Sequence, residues 1–272
     1  MKKNILFCTN CQGDAIYSYL KTCIEFNELY NVDYIENWIL LKTIDKTKYI
    51  EKLRICDILI YQPLKAKHNE LSTETENGLK NYLKENCMLI SFPYIYNSAF
   101  WPFFHHVSNE DEFHPYLSIR QIRNYEVLSV LLVKYNKDEI NDMYNKDLIN
   151  FQYKVNFENS IKILKDNELN TNIKVSGYIL ENYKDKRLFF LKDHPSKYIL
   201  IYCANKILEI LNINYIINDN DFIENYHGMS DSQYNRKDCK WVITEQCAKE
   251  LGLNFYDNDG KDFFGELLSK IL

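Results

Sequence analysis

Over the first hundred positions, short apolar runs alternate with polar stretches that carry a helical period. Asn4–Cys8 (NILFC) is an apolar run of strand length, and Thr9–Gly13 turns the chain. Asp14–Glu28 sets Ile16, Tyr19, Leu20, Cys23 and Phe26 near a 3.6-residue period and predicts a helix. Val32–Ile35 predicts a second strand, Lys46–Leu53 a short helix, and Cys56–Tyr61 (CDILIY) a buried strand that stops at Gln62-Pro63. Thr73–Glu85 predicts a polar helix leading into Cys87–Phe92 (CMLISF), another buried strand. Strands alternating with helices predict a parallel sheet with helices on its faces. In such sheets ligands sit beyond the carboxyl ends of the strands.

From Pro93 to about Pro115 the chain is irregular and crowded with aromatics. Residues 116–170 predict helices, and Ser176–Leu191 is a further helix-like stretch. Asp193-His194-Pro195 interrupts the pattern before Ser196–Leu211, an amphipathic helix. Lys240–Leu251 and Asp262–Leu272 predict a helical tail. The expected fold class is α/β, with a parallel sheet flanked by helices in the N-terminal half and a helical C-terminal half. Residues 1–115 are read as the α/β core that bears the nucleophile. Residues 116–272 are read as a mainly helical part that completes the same domain and supplies the base. No repeat or Pro/Gly-rich linker divides the chain.

Composition narrows the function. The 272 residues carry a net charge of −5 with both signs interspersed, which argues against nucleic acid as the partner. No apolar run approaches the roughly 18 residues of a membrane helix, so no membrane insertion is expected. Lys2 and Lys3 precede only Ile5–Cys8, far shorter than the apolar region of an export signal. Eight cysteines without an export signal predict free thiols and a cytoplasmic location. With seven glycines and neither G-x-G-x-x-G nor a Walker motif, dinucleotide enzymes of the Rossmann type and P-loop kinases are disfavoured.

The segment Cys8-Thr9-Asn10-Cys11-Gln12-Gly13-Asp14 sits where the first strand gives way to the first helix. A thiol at a helix N-terminus feels the positive end of the macrodipole, which favours its thiolate. First-turn N–H groups of Gln12 and Gly13 are then candidates to hold an oxyanion, and Gly13 lets a substrate approach the backbone. The bland alternative is a buried cysteine beside a capping turn. Cys8 and Cys11 also form a C-x-x-C, the spacing of a redox dithiol or half a zinc site. No second C-x-x-C completes a zinc site. His105, His106 and His114, with Asp111 and Glu112, match no standard ligand spacing, and no metal is expected.

A cysteine nucleophile needs a base, and His194 is the candidate. Pro195 is placed at the first position of the following helix, putting His194 near its cap. Asp193 is adjacent and a candidate to orient the imidazole. The alternative is a surface histidine before a helix-starting proline. Gln62, at the end of its strand, faces the same crevice as Cys11 provided the two strands are neighbours. Phe92-Pro93-Tyr94-Ile95-Tyr96 and Phe100-Trp101-Pro102-Phe103-Phe104 are read mostly as core, with some rings available as a wall for a sugar or an adenine. Arg120 and Arg123 share a helix face and are candidates for phosphates or for pairing with carboxylates. Phe263, Phe264, Leu267, Leu268 and Ile271 form an apolar stripe, read as a lid on the core or a contact in a homo-oligomer.

Taken together, Asn-Ile-Leu-Phe-Cys-Thr-Asn-Cys-Gln-Gly at the start, Tyr61-Gln62-Pro63, Phe92-Pro93 through Trp101-Pro102, and Asp193-His194-Pro195-Ser196 resemble the WcbI-like polysaccharide-biosynthesis family. Thr9 stands where that family often has glycine. The resemblance covers roughly residues 3–212 and implies an acetyltransferase of bacterial capsule synthesis. It implies acetyl-CoA as acyl donor, a sugar or polysaccharide precursor as acceptor, and a cleft like that of SGNH esterases. Carried over by position, Cys11 matches the nucleophile, His194 the base, and Asn10, Gln12 and Gln62 the polar groups around them. Trp101, Arg120 and Arg123 are the residues expected near coenzyme A. Three rivals stay open: a hydrolase of esterase or thioesterase type on the same site, a C-x-x-C thiol oxidoreductase, and a non-catalytic binding module.

Overall fold

The structure is a computed structural model that describes residues 1–102, 126–221, 242–258 and 264–265. Four strands, β1 (Lys3–Thr9), β2 (Tyr30–Glu36), β3 (Ile58–Tyr61) and β4 (Met88–Ser91), form one parallel sheet in the order β2-β1-β3-β4. Registers Ile5↔Ile58 and Ile58↔Met88 align apolar runs, so the central strands β1 and β3 read as continuously hydrophobic. The fold is thus the expected parallel sheet with flanking helices followed by a helical region.

Alternation along the strands sends side chains to two faces. Leu6, Cys8, Ile35, Leu59 and Tyr61 join Leu40, Leu53 and Leu79 in one buried cluster. That face is served by α3 (Asn37–Lys42), α4 (Thr47–Ile55) and two 3-10 turns at Ala66–Leu71 and Leu79–Tyr82. Ile5 and Phe7 take the opposite face, where Phe7 meets Tyr17 of α1 (Cys11–Leu20) at 5.7 Å between ring centroids.

Two helices differ from expectation. The helix expected over Asp14–Glu28 is broken into α1 and α2 (Ile24–Leu29). Lys21, Thr22 and Cys23 turn their N–H groups back onto the carbonyls of Tyr17, Tyr19 and Leu20, ending α1. The helix expected over Thr73–Glu85 is replaced by loop and the 3-10 turn at Leu79–Tyr82. Ser72 and Thr73 commit their hydroxyls to the Leu64 carbonyl, and Leu79 N–H goes to the Ser72 carbonyl at 2.8 Å. Such local side-chain bonds compete with helix formation.

The helices that follow are α5 (Glu126–Lys134), α6 (Lys137–Asn145), α7 (Tyr153–Asn167), α8 (Ser176–Asn182), α9 (Lys197–Ile210) and α10 (Glu245–Leu251). The stretch read as helix up to Leu191 ends instead in a strand, β5 (Phe189–Leu191), paired with β6 (His194–Pro195). Pro195 therefore lies in β6, and Ser196 holds the N-cap position of α9.

Two compact units emerge. The first comprises Met1–Ile95, Leu164–Ile179 and Pro195–Asn235, and the second Tyr96–Ile163, Leu180–His194 and Arg236–Leu272. In the first, α1 packs on α9 and the sheet forms the centre. In the second, Phe100 contacts Trp101, Phe157 and Phe189, and Tyr144 stacks on Phe264 with centroids 3.8 Å apart. A buried fork from Arg187 to Asp257, at 3.0 and 2.8 Å, ties residues 70 positions apart. Among the described residues, no helix is long and apolar enough to cross a membrane.

Gly13 has a specific steric reason. A Cβ built on it would lie 2.6 Å from Thr9 Cβ and would overlap the Thr9 hydroxyl. Gly13→Ala is expected to cost about 1–3 kcal/mol by overpacking, despite alanine's better helix propensity. Combining it with Thr9→Gly should recover more stability than either change alone predicts. Urea denaturation of the two single variants and the double variant checks this as a cycle.

Candidate active site

The β1–α1 junction is built from side-chain amides. Asn10 caps α1 with extended backbone (φ −81, ψ −171), and its side chain accepts the Gln12 N–H at 2.9 Å. Such a cap contributes about 1 kcal/mol. The Asn10 carbonyl accepts the Gly13 N–H at 3.0 Å. The Asn10 N–H in turn donates to Gln62 Oε1 at 2.8 Å. Gln62 follows β3, the direct neighbour of β1, and so meets the junction as expected. Gln62 Nε2 donates to Gln12 Oε1 at 3.0 Å and to the Pro93 carbonyl at 3.4 Å. Gln12 Nε2 donates to the Ile95 carbonyl at 2.8 Å, and the Ile95 N–H returns to Gln12 Oε1 at 3.2 Å. Gln12 and Gln62 are both buried, so these bonds form in a low-dielectric setting where a missing partner is costly.

Cys11 occupies the first helical position, half-buried, at the carboxyl end of the sheet. Its N–H is one of the helix-start donors that have no acceptor within the helix. The Gln12 and Gly13 N–H groups, expected as oxyanion donors, already serve the cap and the turn. Cys11 is only partly buried, whereas Cys8 is buried. It points to the opposite face of the sheet among leucines, and burial pushes its thiol up to about 12.

A residue that sequence reasoning missed completes the junction. Tyr34 of β2 pairs in register with Phe7, which aims it at the α1 face. Its hydroxyl accepts from Thr9 Oγ1 at 3.2 Å and donates to the Asn10 carbonyl. Burial raises its pKa, opposed by the Thr9 hydrogen bond and reinforced by Glu36, Asp14 and Cys11, so it stays a donor at neutral pH. Burial also raises the carboxyls of Asp14 and Glu36, with Lys21 opposing it at Asp14 and the Asp14 charge adding to it at Glu36. Only strand register reveals Tyr34, and register is not written in a single sequence.

In the second unit, Asp193 and His194 come together. Asp193 Oδ1 lies 2.7 Å from His194 Nδ1. Burial alone would raise the Asp193 carboxyl, but the hydrogen bond and charge of His194, with the Lys192 charge, hold it below the usual range. Lys192 is itself buried, and desolvation lowers its pKa against the pull of Asp193. The Lys192 carbonyl accepts the Asn97 N–H at 2.7 Å, which pins the turn that carries the pair. Trp101 is fully buried in this unit, and its indole N–H donates to the Val242 carbonyl at 2.9 Å. Arg120 and Arg123 lie outside the described residues, as do His105, His106, His114 and most of the C-terminal stripe. Among the described residues no cluster of metal-ligating side chains occurs.

Residues 4–215 match the family described as polysaccharide biosynthesis enzyme WcbI. The chain belongs to the WcbI family. No curated protein matches it. A solved structure of WcbI, described as a novel polysaccharide biosynthesis enzyme, shares the fold with a TM-score of 0.65 at 16% identity. The similarity covers 100% of this chain and 90% of the WcbI chain. That WcbI structure is described as the native protein without a disulfide bond between coenzyme A and one of its cysteines.

The depressed Asp193 carboxyl makes a signed prediction. Its contribution to stability is fully present above the unfolded carboxyl value of about 3.9 and is lost as pH falls through the lower folded value. Asp193→Asn should therefore lower the thermal midpoint at neutral pH, and the gap to the parent chain should close on acidification. Thermal melts of both proteins from about pH 7 to about pH 2 check it.

Proposed function

We propose that this chain is a coenzyme A-dependent acyltransferase that O-acetylates a sugar during surface-polysaccharide synthesis, in the cytoplasm, with Cys11 as nucleophile. The observation that carries the reading is Cys11 at the first helical position beyond a central parallel strand, on a junction fixed by Asn10, Gln12 and Gln62. The description of the WcbI structure, which names coenzyme A together with a cysteine of that protein, supports it.

In the first step the Cys11 thiolate attacks the carbonyl carbon of acetyl-CoA. A C–S bond to Cys11 forms, and the tetrahedral intermediate expels the coenzyme thiolate. One thioester replaces another, so the exchange is close to thermoneutral. The Cys11 N–H is the donor nearest the developing oxyanion, and the peptide dipoles of the first turn reinforce it. Gln12 and Gly13 N–H groups join only by leaving their present acceptors. In the second step a sugar hydroxyl attacks the acyl-cysteine, His194 takes its proton, and the Cys11 thiolate leaves. Hydrogen bonding of Nδ1–H to Asp193 selects the tautomer whose Nε2 is basic and stabilises the imidazolium formed in that step. Arg120 and Arg123 are assigned to the phosphates of the coenzyme, whereas Trp101, fully buried with its indole N–H on the Val242 carbonyl, is taken as core rather than as a wall behind it.

Intact-protein mass after mixing with acetyl-CoA tests the reading. The parent chain and Cys8→Ala should each gain one acetyl group, and Cys11→Ala none. Absence of both an adduct and calorimetric binding of coenzyme A would overturn the proposal. Binding without an adduct would replace the covalent route by direct transfer.

A further inference from the structure

The two thiols of the C-x-x-C sit on opposite sides of a strand, yet the fold brings another pair of cysteines into contact. Cys56 ends α4 and precedes β3, and Cys87 precedes β4. They are 31 residues apart in sequence, and their sulfurs lie 3.7 Å apart. Parallel pairing of β3 with β4 produces this contact. Ile58 registers with Met88, and Met88 N–H donates to the Asp57 carbonyl at 2.9 Å. The pair sits at the amino end of the sheet, whereas Cys11 follows the carboxyl end of β1. Neither thiol takes part in the acyl-transfer reading.

We propose that Cys56 and Cys87 form a reversible disulfide modification site, oxidised by hydroperoxides, with Cys87 the attacking and Cys56 the resolving thiol. Their surroundings assign the roles. Cys87 is partly buried and reachable, and Cys56 is buried beneath it with its sulfur on the Leu53 carbonyl at 3.3 Å. A hydrogen bond from Cys56, opposed by burial and aided by Lys84, draws the Cys87 thiol down. That same bond together with burial drives Cys56 up. Lys84 also ion-pairs with Asp57 at 2.7 Å, which holds its ammonium beside the pair. The thiolate is the species that reacts, so the first attack belongs to Cys87.

The chemistry balances with a hydroperoxide as oxidant. Cys87 thiolate attacks one peroxide oxygen, the O–O bond breaks, and the departing alkoxide takes a proton and leaves as alcohol, or as water from hydrogen peroxide. Cys87 is then a sulfenic acid. The Cys56 sulfur attacks the Cys87 sulfur, the S–O bond breaks, and the hydroxide leaves with the Cys56 proton as water. Two thiols lose two electrons and the hydroperoxide gains two. The sulfurs must close from 3.7 Å to about 2.05 Å. A dithiol reductant reverses the step by exchange.

The test is peptide mapping of the full chain under non-reducing conditions, after excess hydrogen peroxide and alkylation of the remaining thiols. The expected product is a peptide linking Cys56 to Cys87, released by dithiothreitol. In Cys87→Ser, Cys56 should stay an alkylatable thiol. In Cys56→Ser, Cys87 should stop at a sulfenic acid that dimedone traps. Circular dichroism confirms that each variant is folded, and the parent-chain result decides the matter should a variant fail to fold. Recovery of both cysteines as free thiols in the oxidised parent chain would overturn the proposal. So would a Cys8–Cys11 link in place of this one, or Cys87 bonded to a second chain.

Discussion

The hydrogen bond from the Asn10 N–H to Gln62 is the constraint on which the arrangement turns. It joins the end of β1 to the residue after β3, and so converts the pairing of two strands into a fixed starting direction for α1. The Asn10 side chain then caps the helix, and Cys11 follows at its first position. Had β1 and β3 been separated by another strand, Gln62 would lie about 4.8 Å further away for each strand inserted, and the amide clamp would not close. The position of Cys11 is thus a consequence of sheet order rather than of local turn preference.

Burial sorts the cysteines into different chemistries. Cys8, Cys203 and Cys247 are fully buried, and desolvation raises each thiol. They behave as small apolar residues. Cys11 and Cys87 are only partly buried and lie at strand or helix ends. The C-x-x-C spacing is misleading here because Cys8 is still in β1 and Cys11 is already in α1. The pleat sends the Cys8 side chain away from the helix that carries Cys11. A redox reading of that motif asks two residues on opposite sides of a strand to meet.

The sheet was legible because central parallel strands are buried on both faces and appear as unbroken apolar runs such as Ile5–Cys8 and Ile58–Tyr61. The strand–turn–helix position of Cys11 was legible for the same reason, and so was the meeting of Gln62 with the junction. Thr73–Glu85 misled because its polar periodicity fits a helix, while the hydroxyls of Ser72 and Thr73 hold the chain to Leu64 instead. The strand at Phe189–Leu191 was hidden because a three-residue apolar run has no period of its own. Within the site, the occupancy of the Gln12 and Gly13 N–H groups and the role of Tyr34 were out of reach. Both depend on which neighbours the tertiary fold supplies. The Asp193–His194 pairing was open because adjacent side chains diverge on an extended chain, whereas here Asp193 lies between β5 and β6.

The clamp at the β1–α1 junction, beside Cys11, is made from the amides of Asn10, Gln12 and Gln62 and from backbone groups. None of these carries a formal charge. Counter-ions in solution, which weaken exposed charge pairs over about 8–10 Å, have no purchase on it. The framework that holds Cys11 therefore keeps its geometry across changes of ionic strength. Salt that loosens the exposed ion pairs elsewhere in the molecule leaves this junction's alignment intact.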